Sequence, residues 1–164
     1  MIHITATGTR RAISKLQADN TLELFTELDK EHRGAVILHH GWCTGFDAYC
    51  HYAALQLGWA IRGHPPLNQK FMASGLIVDE CMITVGEIRV LRVELHPPRE
   101  FHARDRDMVD SSNLVVAAPL FPQDHPRSRY SGTWYTVSYA RQEHVPLWIM
   151  ERDGATVYET AVAS

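Results

Sequence analysis

Ile2, Ile4 and Ala6 alternate with polar neighbours and the run stops at Gly8, the period-two pattern of a strand closed by a turn. Ser14 and Gln17 follow at capping-box spacing and open an amphipathic stretch that sets Leu22, Phe25 and Leu28 on one helical face. A second apolar run, Ala35 to Leu38, leads into HHGWCTG. Beyond it Phe46, Tyr49, Cys50, Ala53, Ala54 and Leu57 recur at helical spacing as far as Gly58. Trp59 to Ile61 reads as a third strand, ended by Gly63-His64-Pro65-Pro66, because proline gives a ladder no donor.

The pattern changes over about 72–95, where Leu76, Val78, Met82, Thr84, Ile88, Val90 and Val93 predict short strands bent near Gly75 and Gly86, an inserted hairpin. A helix is then expected around Arg104 to Ser111, a strand over Leu114 to Ala118, and a polar loop from Gln123 to Tyr130. Ser131-Gly132-Thr133 opens a helix through Ala140, Pro146 to Met150 forms a strand, and Thr156 to Thr160 an edge strand after the Asp153-Gly154 turn. Strands alternating with helices predict an α/β, Rossmann-like three-layer sandwich with a mostly parallel sheet, one domain over 1–164. Ligands of such folds sit beyond the carboxyl ends of the strands, which directs attention to TGTRR, HHGWCTGFD, GHPP, APLFPQDHPRSRYSGT and the tail after Met150.

Composition narrows the function classes. At 164 residues, 45% hydrophobic and 21% charged, the chain has the make-up of a globular domain. A net charge of -3 argues against a protein that coats nucleic acid. The first residues carry no signal-peptide pattern, no window is apolar enough for a membrane span, and three cysteines without a paired framework suit a reducing compartment. A cytoplasmic protein with free thiols is expected.

Loops that pair glycine with a following helix offer free amides and a positive dipole end to an anion. Gly8 with Arg10 and Arg11 adds guanidinium forks, and Gly132 with Ser131 and Thr133 adds hydroxyl donors, so a phosphate is the expected guest. The bland alternative is that strand-to-helix turns simply need glycine. Asp47 and His51, four apart on the second helix, either hold a ribose hydroxyl and exchange a proton, or merely complement the dipole and each other. His39, His40, Cys43, Cys50 and His51 match no zinc spacing, so no metal is expected. The chain has no GxSxG elbow, no P-loop and no GxGxxG. Trp42, Trp134, Tyr135 and Tyr139 either stack on a base or pack the core.

The succession TGTR, HHGWCTGFDAYCHYAALQLG, HPP, ARDRDMVDSSNLVVAAP, SGTWYTVSYA resembles the SLOG superfamily of Rossmann-like nucleotide-binding proteins over nearly the whole chain outside the insert. Gly41, Gly45, Asp47, His51 and Leu55 resemble the glycine-rich motif of its DNA-processing protein A branch, and Ser131-Gly132-Thr133 with Ala140 its later SGT motif. Arg104 to Val109 resembles that branch's Asn-Arg helix start, with Asp105 where an asparagine is usual.

The resemblance implies one of three activities. The first in rank is sensing or sequestering a nucleotide, as in antiphage SLOG domains. The alternative is N-glycosidic hydrolysis as in phosphoribohydrolases similar to LONELY GUY, whose catalytic glutamate is replaced here by Thr136. Single-stranded DNA binding ranks last. The expected ligand is therefore a phosphorylated nucleotide or nucleotide sugar, with no further cofactor. Gly8, Thr9, Arg10, Gly41, Gly45, Arg104, Ser131, Gly132 and Thr133 would contact it, Asp47 would hold ribose, and Asp47 and His51 are the catalytic candidates. The hairpin's edge suggests a homodimer.

Overall fold

The computed structural model of the chain describes residues 1–160, so the end of the expected 1–164 unit lies outside it. In chain order the elements are β1 (Ile2–Gly8), α1 (Lys15–His32), β2 (Val36–His40), α2 (Phe46–Gln56), β3 (Ala60–Gly63) and the strands β4 (Met82–Val85), β5 (Ile88–Leu91) and β6 (Val93–Leu95). They continue with α3 (Phe101–Asp110), β7 (Leu114–Ala118), α4 (Gly132–Gln142), β8 (Leu147–Met150) and β9 (Thr156–Glu159).

One seven-stranded sheet runs β6-β3-β2-β1-β7-β8-β9, parallel throughout except for the antiparallel edge strand β9. Every residue of β2 and β7 is buried, as expected of strands covered on both faces. Helices α1 and α2 cover one face through Leu24, Phe25, Leu28, Phe46, Cys50 and Ala54. On the other face, α3 and α4 bring Val109, Trp134, Val137 and Ala140 onto Val115, Ala117 and Ile149. This is the three-layer Rossmann-like arrangement read from the sequence.

Two expectations need correcting. Leu22 is exposed, and the buried face of α1 is Gln17, Thr21, Leu24, Phe25 and Leu28, positions that recur by three, four or seven and leave Leu22 off the stripe. The insert is also shorter than 72–95. Only β4 and β5 form the hairpin, turning at Gly86, whereas Val93 pairs with Ile61 as the sheet's edge strand β6 and the Gly75 segment forms no strand. The hairpin's inner residue Val85 packs with Ala35, Ile37 and Ala60, covering sheet where a helix would otherwise lie. Its outer residues Met82 and Ile88 are exposed.

Between the hairpin and α3, the sheet is covered by imidazoles. His3 Nδ1 lies 2.9 Å from His39 Nε2, His39 Nδ1 lies 3.0 Å from His64 Nε2, and His64 stacks on His96 at 4.3 Å. On the opposite face, the Trp42 amide donates to His40 Nδ1 at 3.1 Å, which leaves His40 to donate from Nε2 to His51 Nδ1 at 3.0 Å. His51 then donates from Nε2 to the Ile77 carbonyl, also at 3.0 Å. His3, His39, His40, His51 and His64 are held neutral. Burial, reinforced by neighbouring histidines, pushes His39 down to about 2 and His64 to about 3, and drives His40 well down as well.

An unfolded chain takes up these protons near pH 6.5, but the folded one does not until far lower, so the stability they confer is complete above pH 6.5 and is lost as pH falls. Thermal melts followed by circular dichroism should show stability declining below pH 6.5 by about 1.4 kcal/mol per pH unit for each buried imidazole. A melting temperature that stays level down to pH 4.5 would contradict the neutral networks.

Candidate functional site

The chain leaves β1 towards one side of the sheet and β7 towards the other, so their following loops part and open a crevice at the carboxyl edge. A cavity of about 480 Å³ occupies it. The β1–α1 loop contributes Gly8 to Arg11, the β2–α2 loop Gly41 and Cys43, and α2 contributes Asp47. Phe101, His102, Arg104 and Asp105 enter from α3, while the β7–α4 connection brings Phe121, Arg127, Tyr130 and Ser131 to Thr133.

The back wall depends on close backbone approach. The Thr9 amide donates to the Ala118 carbonyl and the Phe46 amide to the Thr9 carbonyl, both at 2.9 Å, so the first loop is stitched to β7 and to the start of α2. Gly45, at φ 79°, permits this: a Cβ there would meet the Thr9 carbonyl oxygen at 2.2 Å. Gln17 anchors α1 behind the loop, donating from Nε2 to the Pro119 and Met150 carbonyls at 2.9 Å each.

The floor is charged. Arg104 donates from Nη2 and Nε to Asp105 Oδ1 at 2.8 and 3.2 Å, and from Nη1 to the Gly41 carbonyl at 3.0 Å. Any Cβ at Gly41 would sit 2.8 Å from the Arg104 guanidinium carbon, so glycine is what lets this cation lie beneath the β2–α2 loop. Cys43 donates its thiol proton to the Gly41 carbonyl, and its sulfur lies 3.6 Å from Arg104 Nη1. Burial pushes the Cys43 thiol up despite that guanidinium. Asp47 is 5% exposed and accepts one hydrogen bond, from the Cys43 amide to Oδ2 at 3.1 Å. Burial raises it to about 6, against the opposing pull of Arg104. Burial also raises Asp105, opposed by its guanidinium partner.

The rim carries cations and rings. The Arg10 guanidinium packs against both Phe71 and Phe101, 4.3 and 4.4 Å from their centroids, in the corner formed by two rings 5.9 Å apart and inclined at 62°. Helix N-termini around the crevice differ in what they offer. At α1 the Ser14 hydroxyl accepts from the Gln17 amide, and near α2 the Cys43 and Phe46 amides are spent on Asp47 and Thr9, whereas the α3 start, where Phe101 and His102 line the cavity, has no side-chain cap. At α4 the Ser131 hydroxyl accepts from the Trp134 amide, while the Gly132 and Thr133 amides meet no acceptor among the described residues.

Of the residues singled out from sequence, Gly8, Thr9, Arg10, Gly41, Asp47, Arg104, Ser131, Gly132 and Thr133 line one cavity. Gly45 and His51 do not: Gly45 is pressed against the first loop, and His51 belongs to the histidine network. Trp42 stacks on His40, Trp134 is buried with Nε1 donating to the Phe121 carbonyl, and Tyr139 donates to Asp110, so these three pack the fold. Tyr135 stacks on His102 at 3.9 Å, just behind the lining. Sequence reasoning missed Cys43, Asp105, Phe101 and Phe121 as lining residues. Only Asp105 had a local signal, standing beside Arg104 at the start of α3.

Asp47 makes the floor sensitive to pH. Its folded value near 6 lies above the ordinary 3.8, so the stability conferred by its neutral form is complete below about pH 3.8 and is lost as pH rises through about 6. Asp47→Asn keeps an acceptor for the Cys43 amide and should be more stable than the parent at pH 7.5 by about 2–3 kcal/mol, a gain that vanishes near pH 4. Urea unfolding at the two pH values measures it. A variant less stable at pH 7.5 would show that the carboxylate is favourably held.

No family model matches the sequence, and no curated protein matches it. Solved structures do. DNA processing protein A from Streptococcus pneumoniae superposes with a TM-score of 0.61 at 19% identity, covering 91% of this chain and 50% of its own. The protein of that name from Helicobacter pylori, whose structure concerns a single-stranded DNA binding mode, gives 0.58 at 18% identity, over 90% of this chain and 64% of its own. Moco carrier protein from Chlamydomonas reinhardtii gives 0.56 at 20%, over 90% and 75%. The chain thus spans half to three quarters of these proteins' lengths. Their shared architecture shows that this chain has the same Rossmann-like α/β fold as these proteins.

Proposed function

We propose that the chain binds a phosphorylated nucleotide or nucleotide sugar in the crevice between the β1 and β7 loops, as a sensor or sequestering protein. The observation that carries this reading is the pair of unpartnered amides at α4, Gly132 and Thr133, in a cavity that also holds the stacked Arg10 guanidinium. Arg11 and Arg127 add positive charge to the lining. In this reading the phosphate lies against Ser131, Gly132 and Thr133 with Thr9 and Arg10 opposite, Asp47 takes a sugar hydroxyl, and Phe121 or Tyr130 offers a face to the base.

Hydrolysis of an N-glycosidic bond is the second reading, and Asp47 is what favours it. A pocket carboxyl held near pH 6 suits a general acid. Thr136, which stands where a catalytic glutamate is usual in the resembling hydrolases, is buried and donates to the Gly132 carbonyl outside the cavity lining. Free base released from AMP, NAD or ADP-ribose would establish hydrolysis, and none leaves binding.

Arg10→Ala should weaken ADP-ribose binding about tenfold in calorimetry, the scale of one charge-assisted hydrogen bond, with little change in melting temperature. Unchanged affinity would remove the first loop from the site. An oligodeoxythymidylate bound more tightly than ADP-ribose would make single-stranded DNA the ligand.

A further inference from the structure

We infer that the crevice takes up a proton together with its anion, and that Asp47 is the group that holds it. This rests on the reading of the crevice as an anion pocket and adds how that pocket is controlled.

The argument is a balance of charge in a confined space. Arg104 is the cation of the floor, and Asp105 engages it through two hydrogen bonds. Among the described residues Asp47 lies outside ion-pair distance of any cation, and its one hydrogen-bond partner is the Cys43 amide on Oδ2. With both carboxylates ionised, the floor holds one positive and two negative charges, an excess that opposes any phosphate entering above it. A proton on Asp47 brings the floor to neutrality. It also turns an acceptor into a hydroxyl that donates to a phosphate oxygen or a sugar hydroxyl, which a carboxylate cannot do to an anion.

The groups facing Asp47 leave it as the one to take the proton. From α3 come Arg104 and Asp105, from the β2–α2 loop Cys43, from its own helix Cys50, and from the β1–α1 loop Arg10. Asp105 accepts two hydrogen bonds from the guanidinium, which oppose the burial that raises it, and burial keeps both thiols protonated. Arg10 lies on the rim against its two rings. Burial already brings Asp47 to about 6, and a bound anion nearby raises it further. His102, which lines the same cavity and faces Asp105, is the other group whose protonation favours an anion.

ADP-ribose and sulfate test this, because neither titrates between pH 6 and 8. Affinity of the unsubstituted protein for ADP-ribose should fall about tenfold from pH 6.5 to 7.5, the slope of one linked proton. Calorimetry at pH 7 in two buffers of different ionisation heat should show uptake of roughly half a proton or more per ligand. Asp47→Asn should bind with less than about twofold change over that range. In the unsubstituted protein the Asp47 carboxyl carbon, followed by NMR, should titrate at higher pH with sulfate present. Binding without pH dependence or proton uptake overturns this inference and leaves the pocket reading standing. A tenfold slope that persists in Asp47→Asn overturns it in favour of His102. Failure of both probes to bind either protein from pH 5.5 to 8 overturns the pocket reading and this inference with it.

Discussion

A guanidinium buried beneath a residue without a side chain is the constraint from which the rest of this site follows. Arg104 reaches from α3 under the β2–α2 loop, where Gly41 alone gives it room, and its donors are taken by Asp105 and the Gly41 carbonyl. Removing either partner would strand a charge in a place water barely reaches, which typically costs several kcal/mol. The geometry is thus locked from both sides. It fixes where Cys43 and Asp47 lie, because the loop that carries the one and begins the helix of the other rests on that cation.

Fixed charge below and free donors above give the crevice its chemistry. The α1 start gives its Gln17 amide to the Ser14 capping box, and the α2 start gives its Phe46 amide to the first loop. That stitching closes the back of the cavity. At the α4 start the Gly132 and Thr133 amides line the cavity without an acceptor among the described residues, so a negative group there gains hydrogen bonds the protein does not itself supply. Arg10, packed against Phe71 and Phe101, presents its charge across the gap.

Much of this was legible in the sequence, and the exceptions have physical causes. The strand and helix periods located the layers because burial on two faces leaves a local signature, and the strand-end rule then located the crevice. Val93 was misplaced because a strand's own pattern does not say whether its partner is the hairpin beside it or β3, thirty residues earlier. His3, His39 and His64 read only as polar interruptions. That they satisfy one another depends on the β1–β2 register and on where the chain turns after β3. Gly41 and Gly45 were singled out as ligand contacts, and in the structure they admit a guanidinium and a neighbouring backbone, which no local pattern reveals. The Arg10 stack unites residues from three separate segments and had no local trace.

The central claim is that an anion belongs at the start of α4, facing the first loop. A crystal soaked in selenate and measured at the selenium edge tests it directly. An anomalous peak within hydrogen-bonding reach of the Gly132 and Thr133 amides and of Arg10 is the predicted result. Selenate bound only elsewhere on the surface, with those amides capped by a side chain of the protein, would contradict it.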